Sequence, residues 1–404
     1  MKKFFSYTRI RTVLTKKGQS LFCGLLLALL LVGVTACSDD KKSTSTTSTT
    51  QKPSTTTTAA AHEPTLSTDV VLDGLANPWD IGFLPDKTML YTERSGDLNA
   101  LKDGKVTRLA RMPNVYVQGE GGLLGLAIDT DFEENRYIYT CFNSRIGGKR
   151  DVRVVRFTVD EKVTTASDAL PIITGIEAKD SGRHSGCRVK SAGDGTLFVG
   201  TGDAARGTAP QSPTSLNGKI LHVDREGHGV GGNLAAPFDS RIFTYGHRNV
   251  QGMVLFDKAI KGAYGFSMEH GSDRDDEINL IQSGNFGWSP TGNYDESVSM
   301  TDTKRFPDAI GAIWSSGFPT LAISGGDLLE GTQWGTYNGA LAVAVLKDKQ
   351  VKIIMFDENF AIVFEKTVLD TFGRVRTAVQ GPDGNLYIAT DDSSDGKIIK
   401  VTPQ

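Results

Sequence analysis

Residues 80–93 carry the pattern that decides the fold: Asp80-Ile-Gly-Phe-Leu-Pro-Asp-Lys-Thr-Met-Leu-Tyr-Thr-Glu93 is an apolar run, a turn and a second apolar run. Two short apolar runs around such a turn predict a β-hairpin. The form recurs at Leu124–Tyr139, Arg188–Gly200, Gly252–Met268 and Thr377–Thr390. Further strand-like runs follow these hairpins: Arg153–Val159, Lys219–Val223, Val351–Phe356 and Lys397–Val401.

Helical periodicity is nearly absent after Thr68, so the chain is predicted to be all-β. About six such units over about 335 residues give a period near the upper end of the range for propeller blades. A six-bladed β-propeller over residues 68–404 is therefore the predicted architecture, with a two-domain β-sandwich as the alternative. The extended run Asp69–Asp73 could add a strand to the last blade and close the ring.

The composition narrows the class of protein. The chain has 404 residues, 45 of them glycine, and a net charge of −3, with 23% charged residues. Abundant glycine and modest charge are typical of a turn-rich β protein and not of a helical bundle. No basic block lies beyond the first 17 residues, which argues against nucleic acid as a partner.

The N-terminus has the pattern of an export signal. Six basic residues lie in positions 2–17, an uncharged Leu-rich stretch runs from Leu21 to Val34, and Val34-Thr-Ala-Cys37 follows. This pattern resembles the lipobox of bacterial lipoproteins, so residues 1–36 are predicted to be removed and Cys37 to be lipidated. An ordinary signal peptide or an uncleaved anchor is the alternative. Residues 37–67, rich in Ser and Thr, are predicted to be a disordered tether. The globular part would then be extracytoplasmic and attached to the membrane through the lipid.

Only two cysteines, Cys141 and Cys187, lie beyond the export segment. An oxidising compartment permits a disulfide between them, but their wide separation leaves the pairing open.

Several short segments carry groups that can move a proton or bind an anion. His184 lies in a Gly-containing segment before a strand, where it could act as a general base near neutral pH. Arg374 and Arg376 alternate along a strand-like run, so their side chains share one face. They favour either a polycarboxylate or phosphate ligand or a pairing with the protein's own carboxylates. Arg248, Asn249 and Lys347 could contact the same ligand.

The run Glu269–Glu277 is an acidic loop that could bind a hard cation such as Ca²⁺ or could simply be solvated. The sequence has no Gly-rich strand-to-helix loop of the Rossmann or P-loop type and no Gly-x-Ser-x-Gly motif. Nucleotide-cofactor enzymes and serine hydrolases of the α/β type are therefore disfavoured.

Nine short segments are informative when they are taken together: Asn77–Asp80, Gly119–Gly125, His184–Arg188, Gly200–Asp203, Gly246–Asn249, Glu269–Gly271, Asn285–Trp288, Pro319–Thr320 and Gly373–Arg376. In this order they resemble the soluble glucose dehydrogenase and aldose sugar dehydrogenase family, which uses pyrroloquinoline quinone (PQQ) and folds as a six-bladed propeller. The lipid anchor and Cys187 look most similar to actinobacterial lipoproteins of the LppZ type.

This resemblance implies a role for each candidate residue. His184 would take the proton of a sugar's anomeric hydroxyl as hydride passes to PQQ, and Arg248 would stabilise the charge that develops on the quinone. A calcium ion would bind backbone carbonyls at Gly271 and Ser272. The cofactor itself would be held by Arg248, Asn249, Thr320, Lys347, Arg374 and Arg376. We expect Arg376→Ala to weaken PQQ affinity more than folding, unless Arg376 forms a fully buried ion pair.

The sequence also departs from the family pattern. Glu120 stands where Gln is common and is a further candidate catalytic group, Arg183 replaces the Asp of the glucose enzymes, and Cys187 and Ser272 are unusual. These departures keep two other functions open: a propeller lipoprotein that binds a ligand or partner without turnover, and a lactonase-like hydrolase. The leading hypothesis is a sugar dehydrogenase with an unidentified electron acceptor.

Overall fold

The computed structural model describes residues 62–404, and its strands form six sheets. The prediction of an all-β, six-bladed propeller is confirmed. The first strand, β1 (Leu66–Leu75), belongs to the last sheet. The first blade consists of β2 (Pro78–Phe83), β3 (Met89–Glu93), β4 (Asp97–Lys102) and β5 (Lys105–Arg111). The second consists of β6 (Leu123–Ile128), β7 (Tyr137–Ile146), β8 (Lys149–Val159) and β9 (Ala166–Glu177). The third consists of β10 (Gly186–Ser191), β11 (Leu197–Thr201), β12 (Lys219–Val223) and β13 (Ile242–Tyr245).

The other three blades follow the same plan. The fourth blade consists of β14 (Val250–Ile260), β15 (Ala263–Glu269), β16 (Glu277–Leu280) and β18 (Trp314–Ser315). The fifth consists of β19 (Ile323–Leu328), β20 (Leu341–Val345), β21 (Gln350–Phe356) and β22 (Ile362–Val368). The short β17 (Gly284–Asn285) runs parallel to β13 at the edge of the third blade. The sixth consists of β23 (Val375–Gln380), β24 (Leu386–Thr390), β25 (Gly396–Pro403) and β1.

The blades are arranged in a closed ring. The first strand of each blade contacts the first strand of the next, in the order β2, β6, β10, β14, β19, β23 and back to β2. The five hairpins noted in the sequence are the first two strands of five blades. The sixth pair, β19 and β20, is separated by a longer connection that contains a 3-10 helix (Thr332–Tyr337), which explains why its hairpin pattern is less visible.

The ring closes through the N-terminal strand, as the sequence predicted. β1 lies antiparallel to β25, with Leu66 opposite Pro403 and Leu75 opposite Gly396. Residues before β1 also contact the propeller, because the hydroxyl of Tyr337 donates to Glu63 Oε1 at 2.7 Å. The propeller therefore includes residues 62–67, which the sequence had placed in the tether.

Apolar side chains between neighbouring blades form the core. Between the second and third blades, Tyr139, Val154 and Val199 are fully buried. Cys141 on β7 and Cys187 on β10 form a disulfide within this cluster, which resolves the pairing that the sequence left open. For cysteines separated by 46 positions in the sequence, the chain-entropy model gives a stabilisation of about 4 kcal/mol.

Helical structure is limited to short segments among the described residues, such as α1 (Phe132–Asn135) and α2 (Thr291–Tyr294). Within residues 62–404, none of the helices has the length and apolar character needed to span a membrane. The predicted signal peptide, the lipidated Cys37 and the tether up to residue 61 lie outside the described residues.

Candidate active site

Most of the predicted site residues lie where an innermost strand begins. His184 precedes β10, Asn249 precedes β14, Thr320 precedes β19, Glu120 precedes β6, and Arg376 lies at the start of β23. In a propeller the innermost strands line the central axis, so their starting ends share one face. The carboxylate of Glu120 accepts hydrogen bonds from both His184 and Asn249, which shows that these distant segments meet.

His184 is held in an unusual backbone conformation. Its φ is 52°, in the left-handed region that residues other than glycine rarely adopt. Its backbone N–H donates to Glu120 Oε1 at 3.1 Å, and the backbone N–H of Gly186 donates to Asn249 Oδ1 at 3.0 Å. A strained turn that is held by buried partners on two other blades is typical of a functional site.

The imidazole of His184 is oriented by a buried carboxylate. Its Nδ1 lies 2.8 Å from Asp203 Oδ1 and 2.9 Å from the hydroxyl oxygen of Tyr294. That hydroxyl lies 2.7 Å from Asp203 Oδ2, and Asp203 also accepts from Trp288 Nε1 and from the backbone N–H of Ala205. Because Tyr294 has one proton and a carboxylate is its better acceptor, we assign the Nδ1 proton to His184. Nε2 then carries a free lone pair, as a general base requires.

Arg183 lies over this lone pair. Its Nε donates to His184 Nε2 at 3.2 Å, and its Nη2 donates to Glu296 Oε2. The guanidinium carbon lies 5.5 Å from the centre of the Tyr294 ring. The base is therefore correctly oriented but covered by a cation.

Glu120, a predicted catalytic group, has both carboxylate oxygens engaged. Oε1 accepts from the His184 backbone, and Oε2 accepts from Asn249 Nδ2 at 2.9 Å and Gln251 Nε2 at 3.2 Å. Burial acts to raise the pKa of Glu120, but the imidazoles of His184 and His270 and these hydrogen bonds outweigh it and hold the pKa below its ordinary value. An ionised carboxylate that fixes the His184 turn is a positioning group in this structure.

Arg248 and Asn249 contact the same cluster in different ways. Arg248 donates from Nη1 to the carbonyl of His270 at 3.0 Å and from Nη2 to Glu296 Oε1 at 2.6 Å. Asn249 is fully buried, and its amide links Gly186 to Glu120. Arg248 thus borders the site directly, whereas the contacts of Asn249 are those of a positioning residue; its contact with a cofactor stays a prediction.

The paired arginines of β23 do share one face, and a carboxylate lies between them. Asp391 Oδ2 accepts from Arg376 Nη2 at 2.8 Å and from Arg374 Nη2 at 3.4 Å. Arg376 also donates to Gln251 Oε1 at 2.9 Å. The Arg374 side chain is 46% exposed and that of Arg376 only 7%. Of the two alternatives left by the sequence, pairing with the protein's own carboxylate is therefore present, while Arg374 still faces solvent.

A family model matches nearly the whole propeller. The model described as Glucose / Sorbosone dehydrogenase matches residues 75–400. The chain belongs to this family. Its members are oxidoreductases, which agrees with a base and a set of cations gathered on one face.

Individual relatives align over nearly the full propeller. A Synechocystis protein, slr1608, is 30% identical over 376 residues, covering 84% of this chain and 87% of that protein. The Escherichia coli aldose sugar dehydrogenase YliI is 29% identical over 364 residues, covering 84% and 94%. The PQQ-bound structure of a Streptomyces coelicolor aldose sugar dehydrogenase is 27% identical in sequence, with a TM-score of 0.69. The match covers 85% of this chain and 100% of that one.

The predicted calcium residues lie in a loop fixed by Asp276. Asp276 Oδ1 accepts from the backbone N–H of Gly271 at 2.8 Å and from the Thr320 hydroxyl at 2.6 Å. Ser272 donates to Asp273 at 3.3 Å. Among residues 62–404 there is no cluster of three or more His, Cys, Asp or Glu side chains suited to a metal ion. A calcium ion bound through the Gly271 and Ser272 carbonyls stays a prediction.

Lys347 lies next to the Thr320 loop. Its backbone N–H donates to the carbonyl of Leu321 at 3.0 Å, and the residue is exposed. This places the lysine beside the site, but a contact between its amine and a cofactor stays a prediction.

Three buried nitrogens of the site have no hydrogen-bond partner among the described residues: Nε of Arg248, Nε of Arg376 and Nε2 of His270. Burial lowers the pKa of His270 to about 4, although Asp276 and Glu120 oppose the shift, so this imidazole is neutral at pH 7. A buried polar group without a partner costs about 1–3 kcal/mol. Two guanidinium groups and a neutral imidazole with spare hydrogen-bonding capacity fit an oxygen-rich anionic ligand such as PQQ.

Sequence reasoning did not assign roles to Asp203, Tyr294, Glu296 and Asp391. The Asp391 contact had a detectable signal, because the hairpin register that pairs Val375 with Thr390 brings the residues next to them together. Asp203 follows β11 directly, in a segment already noted for its family resemblance. Tyr294 and Glu296 come from the irregular connection between β17 and β18, where no periodic pattern indicated a role.

Proposed function

We propose that the protein oxidises the anomeric hydroxyl of an aldose to the lactone, with PQQ as the hydride acceptor. The observation that carries this proposal is the Asp203–His184 pair, which leaves the lone pair of His184 on Nε2, beside Arg183 and the Glu296 carboxylate that Arg183 shares with Arg248. Membership of the dehydrogenase family and the PQQ-bound relative from Streptomyces coelicolor support it.

Each protein group has a defined task in this reaction. His184 Nε2 accepts the proton of the anomeric hydroxyl, and Asp203 stabilises the imidazolium that results. Trp288 and Tyr294 keep Asp203 in place through hydrogen bonds of 2.8 and 2.7 Å. PQQ, when bound, supplies the acceptor for the hydride that leaves C1 of the sugar. Arg248 would hold the negative charge that develops on the cofactor.

The remaining cations would bind the cofactor's carboxylates. Arg374 and Lys347 are both exposed, and Lys347 lies with Thr320 on the neighbouring blade. Guanidinium groups suit this task because they present paired donors to a carboxylate. Calcium would bind the carbonyls of Gly271 and Ser272 and would act there as a Lewis acid.

Reconstitution tests this proposal directly. The purified protein is incubated with PQQ and Ca²⁺, and dye reduction is followed over a panel of neutral and acidic aldoses. We expect turnover that depends on PQQ, with a lactone as the product. PQQ binding, followed separately by absorbance, shows whether the cofactor is taken up. Uptake of PQQ without turnover of any aldose would contradict the proposal.

A second candidate, a propeller that binds a ligand without turnover, is favoured by one observation. Arg183 covers the base, and Glu296 neutralises Arg248, so both reactive groups are engaged with side chains of the protein itself. The two functions differ in the effect of His184→Ala. This substitution abolishes turnover in a dehydrogenase but leaves the ligand affinity of a binding protein unchanged.

We also propose that the mature protein is a lipoprotein outside the cytoplasmic membrane, as in the LppZ-type proteins. The Val34-Thr-Ala-Cys37 pattern supports this location. A disulfide between Cys141 and Cys187 fits an oxidising compartment. Mass spectrometry of the mature N-terminus tests it: a diacylglyceryl-modified Cys37 is expected, and a free N-terminus at another residue contradicts the proposal.

A further inference from the structure

The lone pair of the candidate base is not open to a neutral hydroxyl. Arg183 Nε lies 3.2 Å from His184 Nε2 and donates to it. A substrate hydroxyl can donate to the same nitrogen only after Arg183 has moved, because one lone pair accepts one strong hydrogen bond. The substrate therefore reaches the base only if another group takes the place of His184 Nε2 as the hydrogen-bond acceptor of Arg183.

Glu296 shows what kind of group this arginine prefers. Its carboxylate is shared by two guanidinium groups, with Oε2 accepting from Arg183 and Oε1 accepting from Arg248 at 2.6 Å. The side chains of Arg183 and Glu296 are 43% and 30% exposed, so this arrangement faces solvent at the opening of the site. Two guanidinium groups on one carboxylate form an oxyanion-binding arrangement, filled here by a residue of the chain.

We propose that Arg183 selects aldoses that carry an oxyanion, either a carboxylate or a phosphate. This inference rests on the proposed function and names the substrate class of the same site. An oxyanion on the sugar replaces the contacts of Arg183 with Nε2 and Glu296, which draws the guanidinium away from the base. A neutral sugar offers only hydroxyls, and hydrogen bonds between ionised groups are about twice as strong as neutral ones. Arg183 is thus a specificity residue, and Glu296 holds its place when the site is empty.

The chemistry at C1 is unchanged by this selection. The C1–H bond breaks, and its electron pair leaves as hydride to the two-electron acceptor. The anomeric O–H proton passes to His184 Nε2 while the C1–O1 bond becomes the lactone carbonyl. The oxyanion elsewhere on the sugar forms and breaks no bond, so its only effect is on binding and on access to the base.

Binding to the protein loaded with reduced PQQ, which cannot accept a hydride, gives a readout that is independent of turnover. Isothermal titration calorimetry in the absence of an electron-accepting dye compares glucuronate, glucose 6-phosphate and glucose at low ionic strength, with PQQ already bound to the other cations. We expect at least one of the two anionic sugars to bind about tenfold more tightly than glucose. If only glucuronate or only glucose 6-phosphate does so, the oxyanion is identified as carboxylate or phosphate.

Substitutions of Arg183 and Glu296 test whether these two residues cause the preference for anionic sugars. Arg183→Gln should bind all three sugars alike, and Glu296→Gln should bind the anionic sugar more tightly than wild type, because Arg183 loses its internal partner. Arg183→Lys keeps the charge and should retain part of the preference. Arg111→Gln is the matched control: it removes an exposed arginine paired with Asp97 on the outer strand of the first blade, and it should behave as wild type. Thermal unfolding confirms that each variant is folded.

The outcomes separate this inference from the function on which it rests. Equal affinities for anionic and neutral sugars in the wild type, or a preference that survives in Arg183→Gln, overturns the role of Arg183. If the preference depends on Arg183 but no aldose is turned over when dye is added, the specificity site stands and the proposed dehydrogenase activity fails.

Discussion

The two sides of the site differ in how their charges are arranged. On one side, His184 and Asp203 form a buried, correctly oriented proton-accepting pair. The long side chain of Arg183 covers this pair from the solvent side. On the other side, Arg376 is itself buried in an ion pair with Asp391. The base side is therefore prepared for chemistry, whereas part of the arginine side contributes to the stability of the propeller.

This difference shows that residues with similar sequence patterns can contribute to different properties. Arg374 directly precedes β23 and Arg376 lies within it, yet Arg374 faces solvent and Arg376 is fixed between Asp391 and Gln251. Removing a buried partner leaves an uncompensated charge, while removing an exposed one costs little. Substitutions on the two sides of the site test this contrast.

Removing the base should have the largest effect. His184→Ala should lower turnover by about 10²–10⁴-fold, the usual contribution of a general base. Dye reduction by the PQQ-loaded enzyme measures this loss, and PQQ affinity should remain close to that of the wild type, because the proposed cofactor-binding groups are the cations and not His184. His228→Ala, at an exposed histidine paired with Asp224, is the matched control. Equal turnover of wild type and His184→Ala would remove His184 from the mechanism and make Glu120 the next candidate.

The buried arginine should matter most for folding. Arg376→Ala should lower the free energy of unfolding by about 3 kcal/mol or more, because Asp391 and Gln251 lose their buried partner. Urea unfolding monitored by fluorescence measures the change. The expectation drawn from sequence, that cofactor affinity would suffer more than folding, applied only if this ion pair was not buried. A variant with unchanged stability would restore that expectation.

Low pH should weaken the ion pairs that Asp391 forms on the arginine side of the site. Burial acts to raise the pKa of Asp391, but Arg376, Arg374 and Asn77 outweigh it and hold the pKa at about 2, below the ordinary value of 3.8. A carboxyl with a depressed pKa stabilises the fold above its unfolded pKa and loses this contribution as pH falls through the folded value. The free energy of unfolding should therefore drop by about 2 kcal/mol between pH 4 and 2.

Asp391→Asn is the control for this pH dependence. Urea unfolding at pH 7, 4 and 2 should show a less stable variant at pH 7 and a smaller loss between pH 4 and 2 than in the wild type. If both proteins lose the same free energy over this interval, Asp391 is not the titrating group.

The exposed arginine should show the smallest change in stability. Arg374→Ala should alter the free energy of unfolding by about 1 kcal/mol or less, since its side chain is nearly half exposed and lies 3.4 Å from Asp391. PQQ affinity, measured by titration, should nevertheless fall, because this guanidinium is the accessible one. A variant that binds PQQ as tightly as the wild type would exclude Arg374 from the cofactor site.

Parts of this site could be predicted from sequence because they depend on local pattern. The alternation of Arg374 and Arg376 placed both side chains on one face, and the structure confirms that both contact Asp391. Glu296 could not be found in this way, because its two arginine partners lie 113 and 48 positions away, in the segments that precede β10 and β14. Contacts over such distances depend on ring closure and leave no periodic signal.

The sequence predicted the six-bladed fold, with a β-sandwich as the alternative, because apolar runs separated by turns can bury their side chains as stacked hairpins. It also predicted which segments meet, because the starts of the innermost strands share one face. The pairing of Cys141 with Cys187, the burial of Arg376 and the covering of His184 by Arg183 are known from the three-dimensional structure alone. These features depend on how blades pack side by side, and packing fixes burial and partners through three-dimensional distances that neighbouring residues in the chain do not specify.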